Sequence, residues 1–345
     1  LIKYFTVENF HSIKSENILE FDSGIGKNCE YDVHPVIAFA GANASGKTTI
    51  LRAITFVLWF MQHSFFGIRG SGEIPFEPFH TLRNSPTKFH LIFSMDTPIQ
   101  GEYKAVDYEY KLCLTEEQVL IEEFWHYPYE RKRMVYARSK NNLRLGNSIS
   151  HITTKDLRKN CSVISFAAQF NSQTVAKTCK KYDYHSNLLD CYDRYDLIEE
   201  DRSQSHIIKK LLKNERLREK AQKLLKIADV GIEDIYLKEQ DETEKKFLQR
   251  IEEGFEDTDE NETFLEMLRD LKTGRMTGEV IREPCFRHSI DEGMADFDIE
   301  LESSGTLRFL EILYRVLTAL EKGSLLILDE IEVKLHQDLT AYLIG

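Results

Sequence analysis

The chain has 345 residues, 42% of them hydrophobic and 30% charged, enough to bury a sizeable core as one large domain or two of ordinary size. Its net charge of −12 excludes a protein that is basic throughout, no apolar run reaches the length needed to span a bilayer, and Leu1-Ile2-Lys3-Tyr4 does not open a signal peptide. The six cysteines (Cys29, Cys113, Cys161, Cys179, Cys191 and Cys285) are scattered with no C-x-x-C pair, so they read as reduced thiols of a cytoplasmic protein and not as a zinc site.

In chain order, Ile2 to Asn9 carries β-formers in rough alternation and Ile18 to Phe21 is a short second strand. Val36 to Ala40 reads as a buried strand, and a helix should open near Gly46 and run to about Met61. Further strands are expected at Lys88–Met95, Val106–Leu114 and Val119–Tyr127, with another short apolar run from Cys161 to Phe166. From Ser203 to Ala228 the pattern is helical. Its core, Lys209 to Lys226, has eight basic residues against Glu215 and Glu219. The stretch Glu239 to Glu266 then has twelve acidic residues against three basic ones, and reads as helices around a polar loop near Asp257–Asn261. The overall charge therefore hides a basic segment followed by an acidic one, and does not exclude a nucleic-acid partner. Strand texture returns at Cys285–His288 and Phe297–Leu301. A helix follows over about Thr306 to Glu321, then a turn at Lys322-Gly323, then the apolar strand Ser324–Leu328 ending in Asp329-Glu330.

Three stretches carry chemistry. Gly41-Ala42-Asn43-Ala44-Ser45-Gly46-Lys47-Thr48 satisfies G-x-x-x-x-G-K-[ST] and is followed by Thr49. The glycines let the loop curl so that backbone N–H groups meet phosphate oxygens, and the helix that follows adds its positive end. Lys47 places a point charge on the phosphates and Thr48 offers a hydroxyl to Mg²⁺. The strand ending in Asp329-Glu330 puts one carboxylate where it can hold Mg²⁺ and a second where it can orient or deprotonate a water. Ser303-Ser304-Gly305, at a predicted helix start, offers hydroxyls and backbone N–H groups to an anion, although an isolated Ser-Ser-Gly would read as an ordinary N-cap.

Taken together, these motifs resemble an ABC-type ATPase head of the SMC/RecF/OLD-like group, nearest to the compact ATPases of bacterial anti-phage systems such as the Septu type. Asn9-Phe10-His11-Ser12 is similar to the N-F-x-S segment near the start of such heads, Gly41 to Thr49 to their Walker A, and Ser303-Ser304-Gly305-Thr306 with Arg308 to their signature. Leu325 to Glu330 is similar to Walker B, and Leu335-His336 to the D-loop, with Gln337 in place of the usual proline. The resemblance implies an α/β fold, a mixed β-sheet around a central P-loop helix with an inserted helical subdomain. Its divisions would be an ATPase lobe over 1–175, a basic-then-acidic helical insertion over 176–280, and the signature, Walker B and D-loop over 281–345. The switch histidine of the family would follow a further strand, beyond Gly345. Gln169 is a candidate for the Q-loop.

The resemblance also implies a site shared between two chains. Gly41, Asn43, Ala44, Ser45, Gly46, Lys47, Thr48 and Thr49 of one chain would cradle ATP. Thr48 and Asp329 would hold Mg²⁺, and Glu330 would be the general base. Ser303, Ser304 and Gly305 of a second copy would close on the γ-phosphate, with His336 near the seam. The implied partners are a second copy and a separate effector such as an HNH-type nuclease, since no nuclease motif is visible; no membrane partner is expected. Two rival readings stay open: a RecF-like DNA-repair ATPase, and an ATP-gated scaffold with negligible hydrolysis. A basic patch of Arg131, Lys132, Arg133, Arg138, Lys140 and Arg144 near Tyr127, Tyr129 and Tyr136 could meet nucleic acid, or could be a solvated hairpin rim. His34, His151 and His288 show no metal spacing and read as structural.

Overall fold

A computed structural model of the chain describes residues 1–21, 36–140, 142–147, 149, 157–169, 184–186, 204–227, 231–239, 282–290 and 293–331. The chain divides into two units, Leu1–Glu200 with Ala319–Glu330, and Asp201–Thr318 with Ile331–Gly345.

In the first unit, β1 (Ile2–Glu8), β2 (Asn17–Glu20), β3 (Thr87–Ile99), β4 (Glu102–Leu114), β5 (Val119–His126), β6 (Arg133–Ser139) and β7 (Asn142–Leu145) form one sheet in the order β2-β1-β3-β4-β5-β6-β7. Every pairing in it is antiparallel. The long β3–β4 hairpin turns on Gln100-Gly101, both left-handed at φ 54° and 89°, the two-residue geometry whose twist matches the flanking strands. Alternation gives the sheet one apolar face, with Phe5, Phe89, Leu91, Phe93, Tyr108, Tyr110, Phe124 and Tyr136 all buried.

The central helix is α1 (Lys47–Gly67), in which every residue from Ala53 to Met61 is buried. A helix apolar all round belongs inside a protein, and α1 shares its core with that sheet face. Phe56 lies 5.4 to 5.9 Å, ring centre to ring centre, from Phe10, Phe76 and Phe89. Its truncation to alanine would cost about 3–5 kcal/mol. By length and composition α1 could cross a bilayer, contrary to the sequence expectation, but 67% of its most apolar stretch is buried within the protein. It extends well past Met61 because Phe65 and Gly67 continue the buried contact.

A short helix, α2 (Val163–Ala167), is the outcome of the Cys161–Phe166 run, and a buried carboxylate holds it. Glu122 on β5 is fully enclosed and accepts from Tyr110 Oη (2.9 Å), Tyr136 Oη (2.7 Å), Ser162 Oγ (2.6 Å) and the Val163 N–H. Arg138 lies 3.8 Å away and donates to the carbonyls of Cys161 and Arg158. A buried carboxylate is tolerable only when so fully paired. Burial pushes both tyrosine hydroxyls well above their ordinary pKa, so both stay donors. The last strand of this unit, β12 (Leu325–Ile327), pairs in parallel with β8 (Tyr184–Ser186).

Val36 to Ala40 is a correction. No strand is present there, and Val36 and Ile37 are 66% and 45% exposed. An apolar run becomes a strand only when a neighbouring ladder takes its backbone groups, and no described strand pairs with this one. Among the described residues the expected mixed sheet is not seen; they form a large antiparallel sheet, a three-stranded antiparallel sheet and a separate parallel pair.

The second unit pairs β9 (Ile232–Glu239), β10 (Arg282–Ile290) and β11 (Gly293–Asp298) antiparallel, in the order β11-β10-β9. Helices α3 (Gln204–Lys213) and α4 (Glu215–Ile227) split the expected helical segment at Asn214, whose Oδ1 accepts from Leu217 N–H. Ile208, Leu211, Leu212, Leu217 and Leu225 join Ile235, Phe286, Phe309, Leu310 and Leu313 in one core. Among the described residues of 176–280, the helix pair shares its core with strand β9. Helix α5 (Ser304–Lys322) begins in this unit, and its residues from Ala319 belong to the first. Residues 240–281, with most of the acidic stretch, lie outside the described residues.

Candidate functional site

The P-loop is built by local backbone geometry. Ser45 N–H closes a turn onto Ala42 O at 3.2 Å, Ala44 is left-handed at φ 62°, and Gly46 at φ 92° is the N-cap of α1. Gly46 has no Cβ to strain in that conformation. A Cβ at Gly41 would meet Ser45 Oγ at 2.9 Å, so that hydroxyl would have to turn away. Asn43, Ala44 and Ser45 are exposed at the loop's crown.

The first N–H groups of a helix have no intrahelical partner, and the first α1 bond is Ile50 N–H to Gly46 O. No acidic side chain stands in the first turn. Lys47 curls onto its own loop, its Nζ donating to Gly41 O at 2.7 Å and Ala42 O at 2.9 Å. Its ammonium therefore lies at the loop, where a phosphate oxygen could take over from those carbonyls. Thr48 follows in the first turn, half-buried, and the Thr49 hydroxyl lies 2.8 Å from that of Ser12. Backbone N–H groups at a helix start, with a lysine ammonium beside them and no first-turn acid, fit a phosphate chain, and the Thr48 hydroxyl with the Asp329 carboxylate would make a hard oxygen donor set of the kind Mg²⁺ takes.

The N-F-x-S segment proves to be a clamp that sequence reasoning reached only by resemblance. Asn9, left-handed at φ 61°, donates through Nδ2 to Leu82 O and Ser85 O and accepts from Phe79 N–H at 3.0 Å, while its own carbonyl takes the Thr87 hydroxyl at 2.6 Å. Phe10 is buried among Phe56, Phe76 and Phe89, so Ser12 is held at the P-loop helix by a rigid base.

Ile327 and Leu325 of β12 belong to the same apolar core as Ile50, Leu51 and Ile54 of α1. Asp329 and Glu330 follow directly, half-buried and exposed respectively, and Glu330 is left-handed at φ 51°. A non-glycine residue held there stores strain of the kind that collects at working sites.

Ser303, Ser304 and Gly305 lie in the second unit, where Ser303 is the N-cap of α5. Its Oγ accepts from Thr306 N–H at 3.0 Å and lies 2.8 Å from Thr306 Oγ1. Ser304 is exposed, and Arg308 is tied to Glu311 at 2.9 Å. His336 and the Leu335–Gln337 segment lie outside the described residues. Gln169, just past the end of α2, donates its amide back to Ser165 O at 3.0 Å.

Residues 36–345 match AAA_21, the AAA domain family whose description names an AbiEii toxin and a Type IV TA system. The chain belongs to this AAA domain family. Among curated proteins none matches the chain. Membership makes it a P-loop ATPase-family domain of mixed α/β content with a large antiparallel sheet, and the family suggests ATP binding and hydrolysis, typically with Mg²⁺.

In the AAA domain the basic patch is split by the sheet's two faces. Arg138 and Tyr136 are buried parts of the Glu122 network, and Lys132 pairs with Glu109 and lies 4.8 Å from the Trp125 ring centre. Arg131, Arg133, Lys140 and Arg144 remain on the surface.

Proposed function

We propose that the chain binds and hydrolyses ATP with Mg²⁺ at a site completed by a second copy, acting as a regulatory ATPase of a bacterial anti-phage complex that controls a separate effector such as a nuclease. The observation that carries it is the start of α1, a glycine-capped helix with no first-turn acid and with the Lys47 ammonium against the loop carbonyls. Lys47 and the first-turn N–H groups hold the phosphates. Thr48 and Asp329 hold Mg²⁺, which when bound would neutralise charge on the transferred phosphoryl group. Glu330 takes a proton from water as its oxygen bonds to the γ-phosphorus and the bond to the β-phosphate oxygen breaks, giving ADP and phosphate. Ser303, Ser304 and Gly305 of the second copy close the γ-phosphate side. Because the phosphate bridges the copies, ATP favours the closed dimer and hydrolysis releases it.

A complementation assay tests the shared site. Lys47→Ala and Gly305→Arg chains are each expected to be inactive, and an equimolar mixture to regain partial ATPase activity through heterodimers with one intact composite site. No regain overturns the dimer. Glu330→Gln is expected to bind ATP, stay dimeric and turn over slowly; unchanged output of the complex in that variant would favour an ATP-gated scaffold. The DNA-repair reading has less support, because Arg138 of the basic patch is an internal structural group and Lys132 is paired with Glu109.

A further inference from the structure

The helix start that carries Ser303, Ser304 and Gly305 has an acid directly before it. Glu302 occupies the position preceding the N-cap, and its side chain is only 6% exposed. Its backbone N–H closes the 299–301 turn onto Ile299 O at 3.2 Å, and its Oε1 is hydrogen-bonded to His288 Nε2. His288 is fixed in turn. It lies on β10, the central strand of its sheet, with its ring edge-on to Phe297 at 5.1 Å and 88°. The pairing of β10 with β11, followed by the 299–301 turn, brings two groups fourteen residues apart in sequence into contact.

We propose that His288 is a positioning residue that tethers the Glu302 carboxylate and keeps it off the N-terminal N–H groups of α5, so that those groups stay available to an incoming phosphate. The physical reason is competition. The start of a helix attracts any nearby anion, and a glutamate one residue before the cap is long enough to swing onto the first turn. Ser303 Oγ already occupies the Thr306 N–H, which leaves the N–H groups of Ser304 and Gly305 as the seat in question. An untethered Glu302 would fill that seat and repel the γ-phosphate. His288 prevents this by holding the carboxylate from a rigid strand. This inference rests on the shared-site reading given above.

Two measurements keep it separate from that reading. The first uses the full chain without nucleotide, selectively ¹⁵N-labelled at serine and glycine. In His288→Ala the Ser304 and Gly305 amide protons are expected to move downfield as the freed carboxylate accepts from them, and in the double variant His288→Ala/Glu302→Gln to move back. Unmoved resonances in His288→Ala overturn the tether, whatever ATP does. The second is ATP-dependent self-association by light scattering. His288→Ala is expected to need roughly tenfold more ATP for half-maximal association, the scale of a charge at a helix terminus, and the double variant is expected to recover. His288→Gln, which keeps a donor, should stay near wild type. A purely structural histidine predicts no recovery in the double variant, and that outcome overturns the proposal. If His288→Ala does not fold, Glu302→Gln alone decides: association at or below the wild-type ATP requirement supports the tether, and a higher requirement sinks it. Wild-type chain that shows neither association nor turnover with ATP overturns the shared site, and the amide shifts then judge the tether alone.

Discussion

Two helix starts, one in each unit, follow runs of small residues and look alike as sequence, yet the backbone treats them differently. At Gly46 the cap is a left-handed glycine with no side chain to offer, and a lysine sits in the first turn. At Ser303 the cap is a hydroxyl bonded to Thr306 N–H, with no lysine in the first turn and with Glu302 just before it, held by His288. The first start brings its own positive charge and so can hold a phosphate chain unaided. The second has only dipoles and hydroxyls, which are worth about 1 kcal/mol or less at an exposed site. Under the proposed shared-site reading, the first start would hold the phosphate chain and the second, on another copy, would only close on it.

The comparison predicts effects of different size at its two ends. Lys47→Ala should lower ATP turnover on the order of a hundredfold or more, the scale of losing a preorganised charge at a phosphate. A loss under tenfold in steady-state kinetics would place the holding charge elsewhere. Within the first unit, Glu122→Ala should cost about 3–5 kcal/mol in urea unfolding, because it strands Arg138 and the donors of Tyr110, Tyr136 and Ser162 inside the core. A cost near zero would mean that the P-loop unit does not depend on that network. In the second unit, Ser303→Ala should cost about 1 kcal/mol, the value of one N-cap. Because it leaves the Ser304 and Gly305 N–H groups in place, it should change the affinity of the isolated chain for nucleotide little.

The smallest effect concerns pH and the open face of the large sheet. Burial pushes the Glu109 carboxyl up, but hydrogen bonds from His90, Lys132, Tyr127 and Lys111 outweigh this and hold it well below the usual carboxylate range. A pKa depressed in the folded state gives stability that is present above the unfolded-state value and is lost as pH falls toward the folded-state one. Thermal stability should therefore fall as pH drops below about 4. Glu109→Gln should flatten that dependence while leaving the Lys47 chemistry alone, and equal acid slopes in both proteins would remove Glu109 from the account.

How much could be read in advance followed the range of each interaction. The P-loop needs only its own eight residues and the helix after them, so its position and the start of α1 were legible. Strands β1 to β5 announced themselves through alternation within single segments, although β3 and β4 run further than their apolar parts because the hairpin ladder carries their polar ends. Val36 to Ala40 was misread because a strand is a property of a pair. Arg138 and Tyr136 were grouped with surface bases because the pattern gives a strand two faces without saying which one α1 covers. The Asn9 clamp joins positions 9 and 79 to 87, a separation at which sequence carries no local signal.

The sequence by itself determined the chemistry on offer: a phosphate-binding loop, an acid pair after an apolar strand, and a small-residue helix start, each written in contiguous residues whose backbone geometry is local. Only the tertiary structure decided which groups are held in place and which face solvent. The β10–β11 pairing and the turn after it set His288 against Glu302, and the start of α2 enclosed Glu122 with its donors. Such contacts depend on folding segments far apart in the chain onto one another, and no run of neighbouring residues encodes them.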